Sequence, residues 1–266
     1  MNRIEHKFCQ LRQSGKKALI VYIGAGDPDL DATRELAWAF DEAGVDILEL
    51  GVPFSDPLAD GPINQMAAQR GLLSGTTPLG VFETVLRIRG RSEMPIVLYV
   101  YYNLVHRMGL EKFISEAARV GVDGLLVLDL PPEEASDYDF LMKQMGLCPI
   151  YLVAPTTPEE RIAKIVQRAK GFIYYVSREG VTGMPTSFSE ALQERVSLMR
   201  RYTDLPIVIG FGVATPEQAR FVAQFADGVV VGSAVVKMIG EFGKTPMLVP
   251  KVKEFVSRLV LAVKTP

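Results

Sequence analysis

Eight short apolar runs, rich in branched and aromatic residues, recur along the chain. They are ALIVYI from Ala18, DILELGV from Asp46, PIVLYVYY from Pro95, DGLLVLDLP from Asp123, PIYLVA from Pro149, GFIYYVS from Gly171, LPIVIGFG from Leu205 and DGVVVGSA from Asp227. None shows the polar alternation of a half-exposed strand, which suits parallel strands buried on both faces. The segments between them carry helical period and helix starts. Thr157-Pro158-Glu159-Glu160 and Thr215-Pro216-Glu217-Gln218 each offer an N-cap threonine, a proline at the first helical position and an acid or amide three residues on from the cap. Ser187 with Glu190 forms a similar box, after which Phe188, Leu192, Val196 and Met199 share one helical face. The gap between the second and third runs is long enough for two helices, divided at Gly75-Thr76-Thr77-Pro78, and a further helix from about Asn2 to Ser14 is placed to cap the bottom of a barrel.

Eight strands, each followed by a helix with right-handed crossovers, close into an α/β fold of the (β/α)8 barrel type with additional N-terminal and inter-strand helices. An open doubly wound sheet is the rival, but no early GxGxxG fingerprint appears. With 266 residues and no linker or low-complexity stretch, residues 1–266 are expected to form one barrel domain.

Composition changes this picture only by exclusion. A net charge of −2 and a pI near 5.8 offer no basic surface for nucleic acid or an anionic membrane. Cys9 and Cys148 have no metal or redox spacing, and neither a signal core nor a membrane-length apolar run is present, so a cytoplasmic protein is expected. His6 and His106 are too few and too far apart in sequence for a metal or triad site, and no cysteine–histidine cluster suggests zinc.

Barrels of this kind carry their chemistry at the C-terminal ends of strands and in the loops that follow. That rule ranks the acids. Glu49 lies near the end of the second strand among Ile47, Leu48, Leu50 and Val52, so its carboxylate has little polar company. Either its pKa is raised by desolvation, which suits proton transfer near neutrality, or it is a structural acid satisfied by arginine or backbone amides. Asp60 sits in VPFSDPLADGP, a loop stiffened by Pro53, Pro57 and Pro62; it can be an aimed functional group or a turn and cap residue. Asp27 and Asp129 rank second, with turn and cap roles the competing reading. Gly210-Phe211-Gly212 after the seventh strand and Gly232-Ser233 after the eighth stand where this fold frequently binds phosphate on backbone amides and a helix N-terminus. The segment from Ser177 to Ser187, with Gly180 and Gly183, has the length of a functional loop that could close over a ligand and bring Thr182 and Gly183 to it.

The motifs LELGVPFSDPLADGP, GDPD, YYNLV, GVDGLLVLDLP, SREGVTG, GFGVATPEQ and VVGSAVVK, in this order and spacing, resemble the tryptophan synthase α-subunit family from about Ala18 to the end of the eighth strand. The resemblance implies a lyase that splits indole-3-glycerol phosphate into indole and glyceraldehyde 3-phosphate in tryptophan biosynthesis. It implies Glu49 as general acid/base and Asp60 as the group that holds the indole N–H and stabilises the positive ring. Gly183, Gly212, Gly232 and Ser233 match phosphate-binding positions with Phe211 beside them. Tyr22, Tyr99, Leu126 and Tyr174 match positions lining the substrate pocket, and Thr182 matches the lid residue that meets Asp60. The family also implies docking on a β subunit in an α2β2 heterotetramer, with pyridoxal phosphate only on that partner, and loops holding Pro53, Asp56 and Asn103 resemble its docking surface. Tyr22 and Gly24 stand where the family commonly has phenylalanine and threonine, and Tyr99 stands at an apolar position, so the pocket carries extra hydroxyls. Two other readings are a non-catalytic activator of the β subunit, which a missing carboxylate or degraded phosphate loops would favour, and another phosphate-binding barrel isomerase. The isomerase would need a second catalytic acid at the end of strand seven or eight, and none is apparent.

Overall fold

The computed structural model describes residues 1–177, 186–210 and 212–265. Among them, eight parallel strands form a closed barrel in sequential order: β1 (Ala18–Gly24), β2 (Ile47–Gly51), β3 (Ile96–Val100), β4 (Gly124–Val127), β5 (Cys148–Val153), β6 (Ile173–Val176), β7 (Ile207–Gly210) and β8 (Gly228–Val231). Closure is made by β8 against β1, with Ala18 opposite Gly228 and Val21 opposite Val231. Twelve α-helices surround it: α1 (Arg3–Gln13), α2 (Leu30–Ala43), α3 (Pro62–Leu73), α4 (Pro78–Arg89), α5 (Tyr102–Met108), α6 (Leu110–Arg119), α7 (Ser136–Gln144), α8 (Glu159–Arg168), α9 (Thr186–Arg200), α10 (Pro216–Ala223), α11 (Ser233–Phe242) and α12 (Leu248–Lys264). No helix among the described residues is long and apolar enough to cross a membrane.

Successive side chains of a strand point to opposite faces, so each strand divides its residues between two cores. On β2, Leu48 and Leu50 face the helices while Ile47 and Glu49 face the barrel axis. On β3, Ile96, Leu98 and Val100 face outward and Val97 and Tyr99 inward. Ile20, Ile47, Val97, Leu126, Ile150, Phe172, Val208 and Val230 fill the inside, and Ile4, Phe8 and Leu11 of α1 plug it from below. Burial of each such large side chain contributes about 1.5–3 kcal/mol, which makes α1 part of the core. The helix is started by a capping box between Asn2 and Glu5, and the Asn2 amide donates to the Asp123 carbonyl at 2.8 Å, tying the plug to the barrel rim.

The bottom of the barrel is fastened by a repeated device. Asp46, Asp123 and Asp227 each stand just before an even-numbered strand, and each accepts a backbone N–H from the strand before it: Leu19 at 2.9 Å, Ile96 at 2.8 Å and Ile207 at 2.8 Å. Cations balance these acids, with Lys264 on Asp46, Arg89 and Arg3 on Asp123, and Arg200 on Asp227. These three fastenings lie at the end opposite the strand C-termini.

Several helix starts follow the expected chemistry. Thr77 caps α4, and Thr215 with Gln218 forms a capping box on α10. Thr157 differs. Its hydroxyl accepts from the Ala154 N–H at 3.0 Å, closing the turn after β5, and α8 begins one residue later than the cap pattern requires, behind Pro158. The third strand also stops earlier than its apolar run. It ends at Val100 because Asp129 accepts the Tyr102 N–H at 2.6 Å and turns the chain into α5.

Candidate active site

The inward-facing positions leave the apolar core as the strands rise, and a cavity of about 380 Å³ opens at their C-terminal ends. Glu49, Asp60, Tyr22, Tyr99 and Tyr174 line it, together with Asn64, Leu128, Leu152, Val176, Gly212, Gly232 and Ser233. That volume lies within the range of small-molecule sites, and its wall is largely apolar with a few polar groups facing inward.

Glu49 is carried there by period-two alternation on β2, beside Tyr22 of β1 and Val97 of β3 in register. The residue is 3% exposed. Neither carboxylate oxygen has a hydrogen-bond partner among the described residues, and no guanidinium or backbone amide satisfies it. Burial first, and the charge of Asp60 second, push its pKa up to about 8. At neutral pH the group is therefore mostly the neutral acid, able to give a proton and take one back.

Asp60 is held differently. It arrives on the loop between β2 and α3, and both of its oxygens are bound: the Tyr99 hydroxyl donates to Oδ1 at 2.6 Å and the Tyr101 hydroxyl to Oδ2 at 2.9 Å. Tyr101 also accepts the Ala59 N–H at 3.0 Å, so it fixes the loop backbone as well as the side chain. Desolvation raises the Asp60 pKa, and donors from Tyr99, Tyr101 and Asn64 counter it. Two carboxyls of one pocket thus have unlike surroundings, the arrangement that separates an acid from a carboxylate.

The tyrosines fit because neighbouring strands carry glycine. A Cβ on Gly51 would lie 2.5 Å from the Tyr22 hydroxyl, and one on Gly210 would lie 2.4 Å from the Tyr174 hydroxyl. Tyr22 meets Tyr99 edge-on with ring centroids 5.0 Å apart. Gly24 packs close to Ala67 of α3, where an added Cβ would lie 3.3 Å from the Ala67 Cβ.

At the other side of the cavity Gly212 takes a positive φ of 69°, and Gly232 precedes α11, whose first turn begins with Ser233. The first N–H groups of a helix have no partner within it and carry the positive end of its dipole, so this wall suits an anion.

Of the residues singled out in the sequence, Glu49, Asp60, Tyr22, Tyr99, Tyr174, Gly212, Gly232 and Ser233 meet at this cavity. Leu126 does not. It is 1% exposed in the inner core, one layer below the cavity floor, and Leu128, two residues further along the same face, lines the site instead. Thr182, Gly183 and Phe211 lie outside the described residues, as does most of the Ser177–Ser187 segment. Tyr101 and Asn64 were missed; Tyr101 follows Tyr99 by two in the same alternating run, which was the available signal.

The second-ranked acids are structural. Asp27 is 1% exposed and receives Arg70 through two bonds of 2.7 and 2.8 Å, and Asp129 caps α5. His6 and His106 are exposed, and the described residues contain no group of three or more His, Cys, Asp or Glu able to hold a metal ion. In the loop after β2, Pro53 is buried beneath Gly71 of α3, whereas Asp56 and Leu58 are exposed, as is Asn103.

Comparison with known proteins agrees with this fold. The sequence model of the family described as tryptophan synthase alpha chain matches residues 8–263. A tryptophan synthase alpha chain from Opitutus terrae is 50% identical over 265 residues, covering 99% of this chain and all of the relative. Tryptophan synthase subunit alpha from Legionella pneumophila superposes with a TM-score of 0.91 at 37% identity, covering 99% of this chain and 98% of that one. A chain from the aminoacrylate-bound form of tryptophan synthase from M. tuberculosis gives 0.89 at 33% identity, with 99% and 100% covered.

Proposed function

Because the chain belongs to the tryptophan synthase alpha chain family, we propose that Glu49 and Asp60 divide between them the cleavage of indole-3-glycerol phosphate into indole and glyceraldehyde 3-phosphate. The lyase reaction is that of the family; the roles of individual residues are our reading. One observation carries it: a dry carboxyl with no partner, Glu49, faces the same cavity as a carboxyl held by two hydroxyl donors, Asp60.

In this reading the substrate lies with its ring among Tyr22, Tyr99, Leu128 and Leu152 and its phosphate against Gly212, Gly232 and Ser233. Neutral Glu49 gives its proton to ring carbon C3, and the ring becomes a cation. Asp60 accepts the ring N–H and stabilises that charge in a site of low dielectric. The Glu49 carboxylate then takes the proton of the hydroxyl on the carbon bonded to C3. The carbon–carbon bond breaks with its electron pair returning to the ring, which leaves neutral indole and an aldehyde. Glu49 ends protonated, as it began, so the cycle is closed.

Each step is a proton transfer or a charge stabilisation that these carboxyls and backbone amides supply, and we assign no cofactor or metal to this chain. The family implies a β-subunit partner, and we assign pyridoxal phosphate to that partner. An α2β2 heterotetramer follows from the family; of the residues assigned to its docking surface, Asp56 and Asn103 are exposed and Pro53 is buried. A cytoplasmic setting is supported by Cys9 and Cys148, both free thiols.

The test is release of free indole from indole-3-glycerol phosphate by the purified chain, with and without a tryptophan synthase β subunit. Slow release alone and faster release in the complex are expected, because docking on the partner helps exclude water from the site. No release under either condition sinks the lyase reading and leaves a non-catalytic activator as the better one.

A further inference from the structure

We propose that Tyr99 is a positioning residue of this site: its hydroxyl fixes the Asp60 carboxylate as the pocket's acceptor and so leaves Glu49 as the one acid of the pair that gives up and regains a proton. This rests on the preceding reading for the roles of the two acids, but the contact with Asp60 stands without it.

The geometry is specific. The Tyr99 hydroxyl donates to Asp60 Oδ1 at 2.6 Å. Its ring is carried by β3 and buttressed by the Tyr22 ring at 5.0 Å, while the Tyr22 hydroxyl lies in the space left by Gly51, the residue in register with Tyr99. Three adjacent strands therefore hold a donor in place, and the loop brings Asp60 to it. Tyr101 has a different task, because it also binds the Ala59 N–H and anchors the loop backbone. Among the described residues the Tyr99 hydroxyl binds only the carboxylate, so removing it changes the charge environment of Asp60 with the loop still anchored.

The groups that face Asp60 are Glu49 from β2, Tyr22 from β1, Tyr99 and Tyr101 from β3 and its end, Tyr174 from β6 and the Asn64 amide from α3. No lysine or arginine of the described residues bridges it. Two carboxyls sharing a dry pocket do not both ionise readily, and whichever receives hydrogen bonds becomes the anion. Both phenolic donors reach Asp60, and none reaches Glu49.

The experiment is a carbon-13 carboxyl NMR titration of Asp60 in the full chain, for the natural protein and Tyr99→Phe, with thermal melting to confirm folding. The Asp60 midpoint is expected to rise by roughly one pH unit in Tyr99→Phe, a tenfold gain in proton affinity, and the acid limb of the kcat/KM profile for indole release is expected to rise with it. Replacing Tyr99 by 3-fluorotyrosine, a stronger donor that keeps the ring and the contact, moves the midpoint downward and supplies the test should the phenylalanine variant not fold. An Asp60 midpoint unmoved in either folded variant overturns the proposal. Absence of indole release by the natural protein would overturn the lyase reading instead, and the titration decides the role of Tyr99 independently.

Discussion

Glu49→Gln removes the charge of the buried acid and keeps its shape, and its clearest consequence is for stability. The natural carboxyl titrates near 4.5 in an unfolded chain and at about 8 in the fold. Between those values the folded state holds a proton that the unfolded state has lost, so the natural protein's stability falls as pH rises through that window and levels off above it. The two values lie about 3.5 pH units apart, and at 1.36 kcal/mol per unit the full cost is about 5 kcal/mol. Nearly all of it is present by pH 9, about 3 kcal/mol at pH 7 and about 1 kcal/mol at pH 5. Urea denaturation of both proteins at these three pH values measures the difference. Glu49→Gln should gain on the natural protein steadily from pH 5 to pH 9, at unchanged m-value. A difference that does not vary with pH would refute the claim that Glu49 is dry and unpartnered, because a satisfied carboxylate has no such slope.

Two further substitutions test the architecture around the acids. Gly51→Ala puts a methyl group within 2.5 Å of the Tyr22 hydroxyl; the ring has to move into the cavity, with a cost of about 1–3 kcal/mol in stability and weakened substrate binding, read by denaturation and by KM. Arg70→Ala leaves Asp27 buried without its bidentate partner, and a loss of about 2–4 kcal/mol is expected in thermal or urea unfolding, reduced from the fully buried case because the Arg70 side chain is 33% exposed.

The barrel was legible because its strands are doubly buried and its helices start on recognisable caps. Thr157 carries every sign of an N-cap, yet its hydroxyl can equally close the preceding turn, and sequence does not say which backbone N–H it meets. Leu126 rests on the resemblance to the family alone; alternation puts Leu126 and Leu128 on one face without fixing their height along the barrel axis, and only the closed barrel shows that Leu128 is the one at the cavity. Glu49 was identified through its apolar neighbours, although the absence of a distant arginine partner could be settled only by the fold. The converse holds for Asp27, whose partner Arg70 lies 43 residues away. Gly44-Val45-Asp46 and Gly121-Val122-Asp123 repeat visibly in the sequence, and the strand-fastening role of their aspartates was readable there in principle.

The proposed cleavage depends above all on Glu49 as the group that moves the proton. Indole release from indole-3-glycerol phosphate by Glu49→Gln, in the presence of a β subunit and with folding confirmed, measures this most directly. A loss of at least about 100-fold in kcat, with substrate still bound, is the expected result, since a positioned acid/base contributes that much or more. Turnover close to that of the natural chain would contradict it.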